Sequence, residues 1–95
     1  MSSKVERIVI NRITANPNML VPLYLMLSYA YYVQDDPIAS DGFYDKLARK
    51  LLKEYDNIEH RHKHHISKDA LEAGSFLGDY PSIVEDALND FRKGL

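Results

Sequence analysis

The stretch MLVPLYLMLSYAYYVQ, residues 19–34, carries no charge and is the most apolar part of the chain. A run of this kind is either a membrane span or a helix buried inside a protein. It falls short of the ~20 residues that a spanning helix needs. It also holds four tyrosines, and Pro22 stands near its start, where a proline is tolerable only in the first helical turn. The run therefore reads as a core helix, apolar nearly all round, which other elements must cover.

The flanking sequence supplies those covers. Ser3 with Glu6 three residues later is a capping-box pattern that opens a first helix. Val5, Ile8, Val9 and Ile13 give it one apolar face, and Asn16-Pro17-Asn18 ends it. Beyond the central helix, Asp35-Asp36-Pro37 is a break, and Ser40 or Asp41 can cap a third helix over about 42–55. Its inward stripe is Tyr44, Leu47, Ala48, Leu51, Leu52 and Tyr55. IEHRHKHHI, residues 58–66, reads as a polar, His-rich connection. Ser67 can cap a short helix ending at Gly74, and Gly78-Asp79-Tyr80-Pro81 breaks the chain again. A last helix places Ile83, Val84, Ala87, Leu88 and Phe91 on one face and closes at Gly94. Met19 and Met26 read as core filler. No strand pattern and no repeat emerges. The expected fold is all-α: a single domain, 1–95, of about four to five helices around helix 19–34.

Bulk properties narrow the function. The 95 residues are 45% hydrophobic and 27% charged, ordinary for one folded domain. With no cysteine, disulfides, thiolate metal sites and thiol nucleophiles are excluded, which suits the cytoplasm. A net charge of -2 provides no basic field for nucleic acid. The opening MSSKVERIVINR lacks the apolar region of a signal peptide. If helix 19–34 is incompletely covered, its apolar surface favours a homodimer.

One corner carries candidate chemistry: YAYYVQDDPIASDGFYDKL, residues 29–47. Tyr31 and Tyr32 fall in the last turn of the central helix, and Asp41, Tyr44 and Asp45 in the first turn of the next. A short loop brings the two groups to one end of the hairpin. Positions 41, 44 and 45 share a face. Aromatic faces attract flat cations, and carboxylates accept hydrogen bonds from amides and hydroxyls. A nicotinamide nucleotide offers a flat cationic ring, a carboxamide and a ribose. The same residues also suit plain packing: acids in a first turn satisfy the helix dipole, Asp45 and Arg49 form an i,i+4 pair, and tyrosines seal corners.

The spacing of Tyr31-Tyr32-Val33, Asp35, Pro37, Ser40-Asp41, Tyr44-Asp45 and Leu47 resembles the signature YYVxDxPxISDxEYDxL of the small N-terminal helical domain of bacterial NAD-dependent DNA ligases. The resemblance covers about residues 24–55, as one helical hairpin. It implies a site for NAD or its nicotinamide mononucleotide (NMN) half, with Tyr31, Tyr32 and Tyr44 around the ring and Asp41 and Asp45 on the polar groups. Many relatives have His where Tyr32 stands. Ala39 replaces the usual Ile or Val, and Phe43 replaces Glu, altering the helix surface beside the site. The chain also resembles small phage proteins described as ligase-related, which implies a host cytoplasm. Ligase chemistry itself needs the nucleophilic lysine of a KxDG motif. No KxDG occurs in these residues; Lys68-Asp69 is the nearest string. The expectation is a non-catalytic module, alone or beside a nucleotidyltransferase partner.

His60, His62, His64 and His65 form the remaining cluster. On a helix, His60 and His64 would be i,i+4 neighbours able to chelate a metal, although no third ligand stands at a familiar spacing. With Arg61 and Lys63 the segment could instead meet phosphate, or simply be solvated. Two rival functions remain from other classes. One is a protein-interaction factor binding a host or phage enzyme, with the corner kept as a hairpin lock. The other is a hydrolase using Asp41 or Asp45 as base, disfavoured because a first-turn carboxylate is acidic.

Overall fold

The computed structural model describes residues 2–36, 38–60, 63, 66, 68, 71, 80 and 83–94, with only the backbone of Ser2 and Ser3. Four α-helices are described, and no strand among these residues: α1 (Ser2–Ala15), α2 (Leu20–Tyr32), α3 (Asp41–Glu54) and α4 (Ile83–Lys93). The fold is all-α, a small helical domain. No helix among the described residues is long and apolar enough to cross a membrane.

The central helix is α2, which packs most closely against α4 and α3. It has no solvent face through most of its length: Leu20, Val21, Leu23, Leu25, Leu27 and Ala30 are all buried. Pro22 sits in the first turn, where its missing N–H is not needed. Exposure returns only at the end, with Tyr32 and Val33. The open apolar face that would have driven a dimer through α2 is therefore covered.

The structure moves one boundary, selects between two expected caps and changes the exposure of one residue. Helix α1 starts at Ser2, so the backbone of Ser3 lies inside it rather than before it. Glu6 turns instead to a tertiary partner, accepting a hydrogen bond from Ser40 Oγ at 3.1 Å. Ser40 is the cap of α3: its Oγ accepts from the Phe43 N–H at 3.2 Å, which leaves Asp41 in the first turn. Ile83, expected inward, is 50% exposed; Val84, Leu88 and Phe91 form the buried stripe, with Ala87 packed partly against the core.

Phe43 is buried at 7% exposure and joins the core, and what remains of its surface lines a groove beside α1. The described residues of the 58–66 connection are tied to the fold at both of its ends. Ile58 and Ile66 are fully buried, the Glu59 N–H donates to Asn18 Oδ1 at 3.0 Å, and Tyr55 OH donates to the Ile66 carbonyl at 2.6 Å. Pro37, Arg61, His62, His64, His65, Ser67, Gly74, Gly78, Asp79 and Pro81 lie outside the described residues.

Candidate functional site

Two turns of α2 build the site. Tyr24, Ser28 and Tyr31 recur at four and three residues, so they form one stripe along the helix. Tyr24 and Tyr31 are therefore separated by about 10.5 Å along the axis, room for one intervening ring. Ser28, the small residue between them, leaves the slot open. Tyr44 of α3 fills it. Its ring lies 5.3 Å from that of Tyr24 and 5.7 Å from that of Tyr31, at interplanar angles of 9° and 6°. Three tyrosine rings thus stack across the α2–α3 hairpin. Tyr32 closes the outer end, edge-on to Tyr31 at 4.9 Å and 67°.

Hydroxyls bind the stack from within. Tyr44 OH donates to Tyr24 OH at 3.1 Å, and Ser28 Oγ meets Tyr80 OH at 2.8 Å. Ser28 is fully buried. Burial pushes the Tyr44 phenol far above its ordinary range, with Tyr24's hydroxyl adding to the effect. Tyr24 and Tyr80 are raised for the same first reason, loss of solvent. These hydroxyls are neutral structural groups at ordinary pH, not acids or bases.

The α2–α3 loop is fixed from outside the hairpin. Arg92 of α4 donates to the Asp36 carbonyl at 2.7 Å and to Gln34 Oε1 at 2.9 Å, and pairs with the Asp36 carboxylate at 3.4 Å. The chain turns at Asp35 with a positive φ of 51°, a conformation that Asp tolerates better than most residues. At the far end of the loop, the Glu6–Ser40–Phe43 relay sets where α3 begins. Nothing local in the sequence announced Arg92: its partners lie more than fifty residues away.

The five candidate residues divide by accessibility. Tyr31 is half-buried and Tyr32 is 39% exposed, so solvent reaches both. Asp41 is exposed in the first turn of α3. Asp45 is half-exposed and pairs with Arg49 at 2.8 Å. Tyr44 is 7% exposed and has a ring on either side, so it offers no free face to a ligand. His60 is remote from this end; it lines a cavity of about 170 Å³ with Pro22, Leu25, Met26 and residues of α4. No group of three metal-ligating side chains occurs among the described residues, and His64 lies outside them.

A family model described as the DNA ligase-like, N-terminal NAD+-binding domain matches residues 14–70. The chain belongs to this family. The match spans α2, the loop, α3 and the anchored connection, and it includes all five tyrosine and aspartate candidates. It ends before α4, so the arginine that holds this ligase-like hairpin's loop comes from outside the matched region. No curated protein and no solved structure gives a significant match.

Proposed function

We propose that this ligase-like domain is a non-catalytic module that binds a nicotinamide nucleotide, NMN or NAD, at the outer end of the tyrosine stack. The carrying observation is the Tyr31–Tyr32 pair, two accessible rings held in an angled arrangement at the end of a buried stack. A flat cationic ring gains most against aromatic faces that are already fixed, because no side-chain order is then lost on binding. On this reading Tyr44 is a positioning residue: it holds the Tyr31 plane and does not touch the ligand.

Asp41 and Asp45 supply acceptors on the neighbouring first turn, suited to ribose hydroxyls and a carboxamide. The Asp45–Arg49 pair does not prevent this. Arg49 is 79% exposed, and a surface pair of this kind contributes only ~0.2–1 kcal/mol, so ligand contacts outweigh it easily. The sequence holds no KxDG lysine, so no nucleotidyl transfer is assigned to it. A separate nucleotidyltransferase is a fitting partner for such a module.

Calorimetric titration with NMN, NAD and AMP tests the proposal. NMN and NAD should give heat, AMP none, and Asp41→Ala or Tyr31→Ala should abolish it. Absence of heat up to millimolar NMN would sink it. One observation favours a second reading: the covered faces of Tyr44 are also what a hairpin lock requires. In that case the domain is a protein-interaction factor. A stoichiometric protein partner retained by Asp41→Ala, with no nucleotide heat, would decide for it.

A further inference from the structure

Helices α1 and α3 are not among the closely packed pairs, and a groove of about 400 Å³ runs between them. Its apolar walls include Ile10, Ile13 and Thr14 of α1 and Phe43 and Leu47 of α3, with Leu20 at its base. None of the tyrosine–aspartate candidates lines it. Ile10 is 52% exposed, an apolar side chain left at the rim. Lys46, Lys50 and Glu54 follow the α3 edge at four-residue steps, giving the charge order plus, plus, minus.

The outer edge of α4 carries the complementary order. Ile83 is 50% exposed, and Asp86, Asp90 and Lys93 follow it on the same side, giving minus, minus, plus. The first two steps match, and the last is four residues on α3 against three on α4. Phe43 and Ile83 each stand three residues before the first charge, and the second charge follows four residues later on both helices. None of these six charged side chains has an ion-pair partner among the described residues.

We infer that the groove receives α4 of a second copy of this chain. The helix lies parallel to α3, with Ile83 against Phe43 and Ile10, Asp86 on Lys46, Asp90 on Lys50 and Lys93 on Glu54. The register fixes direction: an antiparallel helix would set Lys93 against Lys46. The contact is head-to-tail, since each copy carries both halves on different surfaces, so copies assemble as a ring or a growing chain. A single three-turn helix buries less than a standard interface, so association is weak and concentration-dependent.

Sedimentation equilibrium of the full chain from about 10 μM to about 1 mM tests this inference. The average mass should rise above 11.0 kDa with concentration. Raising the salt to about 0.5 M should weaken association roughly tenfold. K46D/K50D alone and D86K/D90K alone should each remain monomeric, because each sets like charges against like. Mixed in equal amounts they should assemble again, since both contacts then pair opposite charges. A wild type that stays monomeric at about 1 mM would overturn the inference. So would assembly that ignores either pair of substitutions, or a mixture that fails to recover it. Ile83→Asp, with unchanged helix content by circular dichroism, should also abolish assembly; full retention counts against the groove.

Discussion

At the scale of single residues, the corner depends on a size contrast along α2. Among the described residues Ser28 is the one buried polar side chain apart from the tyrosines, and its smallness admits the Tyr44 ring between Tyr24 and Tyr31. The hydroxyls then satisfy one another, the Tyr24–Tyr44 pair buried and the Ser28–Tyr80 pair partly so. Tyr44→Phe should keep the stack but remove its hydrogen bond to Tyr24, lowering stability by ~1–2 kcal/mol in urea denaturation. Because the ring remains, NMN binding by that variant should be nearly unchanged; a large loss would give the Tyr44 hydroxyl a direct ligand role. Ser28→Leu should do the reverse, filling the slot and expelling Tyr44, with overpacking that costs ~1–3 kcal/mol.

At the scale of elements, α3 is set by its first turn. Ser40 both caps the helix and donates to Glu6 of α1, so Ser40→Ala should cost ~1 kcal/mol or slightly more, read from the thermal midpoint. Gly42 follows inside the helix, with helical backbone and nothing within 4 Å of an added Cβ. Gly42→Ala should therefore stabilise the domain by ~0.5–1 kcal/mol. No gain would mean that the helix start is governed by the Ser40–Glu6 link and not by backbone freedom. The loop before α3 is held by Arg92, whose half-buried guanidinium reaches the Asp36 carbonyl, the Asp36 carboxylate and Gln34. Arg92→Ala should speed amide exchange at Asp36, and on the proposed function it should weaken NMN binding several-fold without touching the ligand.

At the scale of the whole molecule, the buried phenols predict how the fold responds to alkali. Tyr24, Tyr44 and Tyr80 hold their protons more tightly folded than unfolded, chiefly because burial disfavours the phenolate. An unfolded tyrosine titrates near pH ~10. The unfolded chain therefore binds fewer protons above that pH, and stability falls as pH rises. Below it, these groups contribute their full share. Absorbance at 295 nm should show these tyrosines ionising together with loss of helix by circular dichroism. Smooth ionisation with the helices intact would mean that the stack opens to water without unfolding.

What the sequence determined by itself was the all-α class, the central place of residues 19–34 and the meeting of the candidate tyrosines and aspartates at one end of a hairpin. Residues 19–34 are too short and too rich in tyrosine for a membrane and too apolar for a surface, which leaves only the centre of a bundle. The Tyr and Asp spacing was equally legible, because helical periodicity and a short loop bring those positions together wherever the rest of the chain goes. Accessibility was not legible. Periodicity sets which residues share a face, but whether that face is covered depends on partners far away in the chain. Only the tertiary structure put Tyr44 between two rings, turned Glu6 from a cap into a link to Ser40, left Ile83 outside, and brought Arg92 to the loop. Each of these is a contact between distant segments, favoured by burial and paired polar groups that no local pattern encodes.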